Sequence, residues 1–323
     1  MASSFRTEFE SERGKSWGTP WFDPTVYELG GDGTLPGLEN RINRSLLRGG
    51  KRFRPLLMAE FAALFGISTE RIIPFARAIE QIHSATLAHD DVIDASDRRR
   101  GVPTLNAQIE NRKAVLGGDY LLAEGIAEIT RQGNFLAMEA LALTLQELVT
   151  GELLQNEARG VFEVSRSHLL KRADLKTGSL FRWCCLIPAL LGEADATVLR
   201  LVREFGTRLG VAFQWIDDTL DYSLDSGKPY GQDLREGLVN AVTLRLLEVH
   251  PRESSLLAES PWSLAEIESA IAFVRAEAEV QIRSARSILS DLVVSLPAGL
   301  TPSVKESTLR LEELLKQLET RKK

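Results

Sequence analysis

Cysteine is scarce in this chain, two in 323 residues, and the two are neighbours, Cys184 and Cys185. Set in the apolar run from Trp183 to Leu191, they read as buried thiols kept under reducing conditions, which excludes a disulfide scaffold or a thiolate metal centre. Long hydrophobic runs are missing too: none approaches the ~20 residues that cross a bilayer, and Glu8, Glu10 and Glu12 interrupt any leader-like start. The expectation is a cytoplasmic protein with no transmembrane segment. Basic residues are outnumbered 45 to 39 by acids, for a net charge of −6, which argues against nucleic acid held by phosphate neutralisation. With 24 Gly and 12 Pro, collagen and low-complexity disorder are excluded. What remains is an ordinary globular composition, long enough to bury a large core.

Period-two alternation is absent over any sustained stretch. Spacings of three and four recur instead, in Phe75, Ile79, Ile82 and Thr86, in Leu201, Phe205 and Leu209, and in Leu311, Leu314 and Leu318. No proline occurs from Thr104 to Ile187, a region rich in Ala, Leu, Glu and Gln. After Pro261, Ser263-Leu-Ala-Glu266 has the form of a capping box. These features give an all-α protein of about ten helices in a single large bundle. Residues 1–37, punctuated by Gly and Pro, form an irregular arm, and 38–323 form one domain.

The chemistry concentrates in two acidic motifs. His89-Asp90-Asp91-Val92-Ile93-Asp94 ends one helical pattern, and Asp217-Asp218-Thr219-Leu220-Asp221 repeats the spacing 127 residues later. On a helix, Asp90 with Asp94 and Asp217 with Asp221 share a face, where like charges repel. A single such triplet is ordinary solvated surface; a duplicated one on apolar helices calls for cations. Oxygen ligands without a Cys or His cluster point to Mg²⁺, which binds through one or two carboxylates while phosphate fills other positions. Each motif is followed by basic residues and a proline, Arg98-Arg99-Arg100-Gly-Val-Pro and Gly227-Lys228-Pro229. Carboxylates for a metal and cations for the remaining oxygens are what a diphosphate needs.

Gly49-Gly-Lys51-Arg52-Phe-Arg54-Pro is a further basic turn opening a helix, and Lys176-Thr177 falls on another predicted helix. Thr86, His83, Ile79 and Ala76 share the face of Asp90; Gln214, Phe213, Gly210 and Gly206 share that of Asp217. These mostly small or apolar stripes suggest an apolar shaft below a polar, metal-lined mouth, although both glycines also suit close helix packing.

Taken in order, G-G-K-R-F-R-P, H-S-A-T-L-A-H-D-D-V-I-D, R-R-G-V-P-T, G-D-Y-L-L-A, G-E-L-L-Q, K-T-G-S-L-F, F-Q-W-I-D-D-T-L-D and G-K-P-Y-G-Q-D-L-R-E-G resemble the motifs of the trans-isoprenyl diphosphate synthases, or polyprenyl synthetases. The resemblance implies the isoprenoid-synthase (terpenoid synthase) fold, helices around a central cavity, and a homodimer. It also implies condensation of an allylic diphosphate with isopentenyl diphosphate to a geranylgeranyl or longer product. Carried over by motif position, Asp90, Asp94 and Asp217 hold several Mg²⁺ ions, with Asp91, Asp218 and Asp221 as direct or indirect supports. Arg99, Lys176, Thr177, Gln214 and Lys228 contact the allylic diphosphate or its metals; Lys51, Arg54, His83 and Arg100 bind the isopentenyl diphosphate. The family's steric rule puts product length on Ala85 and Thr86, whose small size disfavours a farnesyl-only product. The chain departs from the family after Gly237, reading L-V-N-A-V where K-x-T-L-P is usual. A class I terpene cyclase, an HD-type phosphohydrolase and a non-catalytic subunit of a partner synthase are the alternatives. D-D-x-x-D at the second site, the G-K-R-F-R-P segment and the intact acids and bases of both halves weigh against them in turn.

Overall fold

Helix accounts for nearly all of the structure, a computed structural model that describes residues 21, 23–30, 34–48, 50–99, 102–222, 231–251, 262–296 and 301–321. The chain divides into two compact units, each described by itself: Met1–Ala62 with Ile67–Met138, and Ala63–Gly66 with Glu139–Lys323.

The first unit contains α1 (Pro36–Ile42), α2 (Phe53–Leu64, whose last residues pass into the second unit), α3 (Thr69–Ile93), α4 (Leu105–Ile109) and α5 (Asn111–Arg131). A short antiparallel pair, β1 (Arg98–Arg99) and β2 (Val102–Pro103), follows α3. α3 lies along α5. Their shared core includes Ala85, Ala88, Ala114 and Leu121, closed by Ile42, Leu47 and Leu105. Part of the amino-terminal arm is built into this unit. Tyr27 is fully buried beneath the Arg52 guanidinium, 4.2 Å from its ring centre, and donates its hydroxyl to Trp21 O. Arg52 also bonds Glu80, 2.7 Å away and buried, and Leu47 O. Trp17 and most of the arm lie outside the described residues.

The second unit is organised on α9 (Ala196–Leu220), an amphipathic helix opened by the Asp195 cap. Before it come α6 (Phe135–Glu157, which begins in the first unit), α7 (Arg166–Ala173) and α8 (Ser179–Leu191); after it come α10 (Gln232–Arg235), α11 (Ala241–Val249), α12 (Leu264–Ser295) and α13 (Pro302–Glu319). α9 packs on α12 and α8. The Ser263–Glu266 capping box is present at the start of α12. Cys184 and Cys185 are fully buried on α8 and form no disulfide.

Thirteen α-helices among the described residues exceed the expected ten because α4 and α10, at five and four residues, are too short to show a period. Lys176-Thr177 is not on an α-helix: Asp174–Gly178 is a π-helical turn between α7 and α8. Such turns cost hydrogen-bond geometry and concentrate at functional sites.

Candidate active site

Both acidic motifs straddle the carboxyl end of a helix. Asp90 and Asp91 lie in the last turn of α3 and Asp94 caps it; Asp217 and Asp218 lie in the last turn of α9 and Asp221 caps it. That end carries the negative pole of the helix dipole, which favours Lys or Arg, yet neither last turn contains a basic residue. α2 shows the opposite placement. Lys51 and Arg54 flank its amino end, the positive pole, and its first turn holds no acid. Three helix ends therefore carry charge of the sign their dipoles oppose.

Within each motif the six aspartates separate by side. Asp91 is buried, and its Oδ1 accepts from Arg99 Nε at 2.9 Å and Nη2 at 2.8 Å. Its carbonyl receives Ser96 N–H, and the Asn106 side chain reaches both Asp91 O and Ser96 O, so this residue ties the loop after α3 to its helix. Asp218 is the counterpart in α9. Its Oδ2 accepts Ala241 N–H at the start of α11 and its Oδ1 accepts Gln214 Nε2, whose Oε1 accepts Thr177 Oγ1 at 2.6 Å. Asp221 caps α10 by accepting Gln232 N–H and Asp233 N–H. Asp90 and Asp94 are half-buried and Asp217 is exposed. Asp217 Oδ1 accepts from Arg321 Nη2 at 2.9 Å, with the guanidinium lying over the Phe213 ring.

Burial pushes the Asp218 carboxyl from its ordinary 3.8 up to about 7, with the Asp233 charge adding to the rise and the Ala241 N–H, Arg172 and Gln214 opposing it. The folded chain therefore holds this proton more tightly than the unfolded chain. The associated stability is fully present below about 4 and is lost as pH rises through about 7. In metal-free protein, Asp218→Asn should gain thermal midpoint on the wild type as pH goes from about 5 to 8. Parallel melting curves for the two across that range would contradict the assignment.

The remaining residues expected from the sequence are distributed as follows. Lys51 is exposed, Arg54 and His83 are half-buried, and Lys176 lies 2.5 Å from Glu152. Ala85 is in the core beside Ile42 and Leu47, whereas Thr86 is half-buried with its hydroxyl spent on His83 O. Arg100 and Lys228 lie outside the described residues. The glycine stripe below Asp217 is filled by backbone: a Cβ on Gly210 would lie 2.9 Å from Gly178 N and closer still to its Cα, and one on Gly206 would meet Arg182 N and Cα. Close packing, not a shaft, is what these two glycines serve.

His89 carries a role the sequence did not reveal. Its Nε2 sits 3.2 Å from Val115 O and 3.3 Å from the Asp119 carboxylate, in space that only glycine at 118 leaves open. It fixes the residue before Asp90 to α5. The G-D-Y segment was the available signal, but a contact across helices is not written in either motif alone. At the family's K-x-T-L-P position, Asn240 caps α11 by accepting Thr243 N–H and bonds Asp233. The cap is therefore made by an equally good residue type, without the lysine.

The model of the Polyprenyl synthetase family matches residues 36–273. The chain belongs to the polyprenyl synthetase family. It is 36% identical over 225 residues to the decaprenyl-diphosphate synthase of Dictyostelium discoideum, a match covering 68% of this chain and about half of that protein, 49%. Among solved structures it is similar to a decaprenyl diphosphate synthase from Rhodobacter capsulatus, with TM-score 0.80, 27% identity, and coverage of 96% of this chain and 99% of that one. A polyprenyl synthase from Caulobacter crescentus CB15, complexed with calcium and isoprenyl diphosphate, gives TM-score 0.76 and 26% identity, covering 97% of each chain. The fold of this polyprenyl synthetase is thus the all-α isoprenoid-synthase fold.

Proposed function

We propose that this polyprenyl synthetase condenses an allylic diphosphate with isopentenyl diphosphate, head to tail and trans, to a geranylgeranyl or longer diphosphate. The carrying observation is the wrong-signed charge at three helix ends: acids where α3 and α9 end, bases where α2 begins. Cations relieve the acidic ends and a diphosphate relieves the basic one. The names of the relatives support this reading, as does the calcium and isoprenyl diphosphate in the Caulobacter protein.

Among the described residues no three His, Cys, Asp or Glu side chains converge. Paired half-buried carboxylates one turn apart suit Mg²⁺, which keeps water and substrate phosphate in its remaining positions. Asp90, Asp94 and Asp217 would hold the ions; when bound, they supply positive charge against the departing diphosphate. Asp91, Asp218 and Asp221 hold the helix ends and loops that carry those ligands. Arg99, Lys176, Thr177, Gln214 and Lys228 orient the allylic diphosphate, and Lys51, Arg54, His83 and Arg100 the isopentenyl diphosphate. The allylic C–O bond ionises, the alkene attacks the cation, and the departing diphosphate takes the proton.

α6 supports a homodimer. It buries Ala137, Ala140, Leu141 and Leu148 on one side yet exposes Leu136, Leu143, Val149 and Leu153 on the other. A helix apolar all round is made to be covered on both faces. Among the described residues no helix is long and apolar enough to cross a membrane. The unbridged, buried Cys184 and Cys185 suit a reducing compartment, and a cytoplasmic site of action is proposed on that ground.

Release of diphosphate from isopentenyl plus allylic substrate, with and without Mg²⁺, tests the reading. Turnover only with metal is expected; none in either case would favour a non-catalytic subunit. Product length is assigned to Thr86, because Ala85 is core. Thr86→Phe should shorten the main product by one or more isoprene units by chromatography, and an unchanged chain would remove Thr86 from control of product length.

A further inference from the structure

The Gly151-Glu152-Leu-Leu-Gln155 segment of α6 touches the π-helical turn at its most functional residue. A Cβ on Gly151 would lie 2.5 Å from Lys176 N, 2.9 Å from Lys176 Cα and 3.0 Å from Leu175 C. All three are main-chain atoms that cannot swing aside, so glycine alone permits this approach. At the next residue, Glu152 Oε2 lies 2.5 Å from Lys176 Nζ, with side-chain exposures of only 16% and 25%. One turn further, Gln155 Nε2 donates to Glu152 Oε1 at 3.4 Å. From the other side, Gly210 and Gln214 of α9 hold Gly178 and Thr177. The Lys176 backbone is thus clamped between two helices while its side chain pairs with the Glu152 carboxylate.

We propose that Glu152, braced by Gln155, is a positioning residue: it holds the Lys176 ammonium extended for the allylic diphosphate. This rests on the reading that Lys176 binds that diphosphate. A lysine has a long, freely rotating stem, and ordering it before the substrate arrives removes an entropic cost from binding. Were Glu152 instead a mere competitor for the ammonium, removing its charge would tighten diphosphate binding. The two possibilities differ in sign.

The test uses the full chain and inorganic diphosphate titrated calorimetrically in the presence of Mg²⁺, with steady-state kinetics on E152Q, Q155A, K176M and the E152Q/K176M double variant. E152Q should weaken diphosphate binding and raise KM for the allylic substrate about five- to tenfold, leave KM for isopentenyl diphosphate unchanged, and add nothing in the K176M background. Q155A should act in the same direction with smaller size, and it carries the test if E152Q folds poorly by circular dichroism. Weakening by K176M with unchanged or tighter binding by E152Q and Q155A overturns the positioning role while sparing Lys176 as a ligand. Unchanged binding by K176M removes Lys176 itself, and the proposal with it.

Discussion

On the proposed function, Asp90→Ala should lower the condensation rate by on the order of a thousandfold or more, since it would remove a metal ligand and with it charge that stabilises the departing diphosphate. The same change should leave the ligand-free protein no less stable than the wild type. Asp90 is half-buried at the negative pole of α3, where a carboxylate costs about 0.3–1 kcal/mol instead of contributing it. Asp91→Asn makes the informative comparison. Asp91 is buried against Arg99, so the amide keeps an acceptor oxygen but removes the charge that pairs this guanidinium, which loosens the loop after α3. It should lower the thermal midpoint clearly and reduce activity by a smaller factor, about ten- to hundredfold. Near-normal turnover in Asp90→Ala, measured as released diphosphate at saturating Mg²⁺, would falsify the metal assignment.

Gly210→Ala should destabilise the protein by about 3 kcal/mol, the upper end of what overpacking costs. The added methyl would collide with the main chain of Gly178, and neither α9 nor the π-helical turn has a side chain there that can give way. The displaced turn carries Lys176 and Thr177, so kcat should fall together with the melting temperature. Gly206→Ala provides the control. Its methyl would strike the main chain of Arg182 on α8, one turn further from Lys176. It should cost similar stability and less activity. A Gly210→Ala protein that melts and turns over like the wild type would mean that α9 and the turn are not in the contact described.

These two cases mark how far the sequence was legible. Periodicity and caps are local, and they gave α3, α9, α12 and the all-α class directly, since each helix writes its own apolar stripe and the Ser263–Glu266 box is contained in four residues. The acidic motifs were equally plain. Asp90 and Asp91 were told apart only by motif position, through the family resemblance; the contact that distinguishes Asp91 is its pairing with Arg99, which no local pattern writes. The π-helical turn was hidden for a related reason. Asp-Leu-Lys-Thr-Gly has no π signature; the turn is held by glycines at 151 and 210, more than 20 residues away on either side. Gly206 and Gly210 are ambiguous in sequence because the absence of a side chain reads the same whether space or a neighbouring backbone fills it. His89 and Gly118 share that ambiguity.

On the proposed function, the opposed charges at the ends of α2, α3 and α9 tie occupancy to folding. A molecule that lacks its ligands keeps its electrostatic discord to itself, and whatever binds at those ends favours the folded population by mass action. Substrate supply would then govern not only how fast this protein works but how long each copy survives proteolysis.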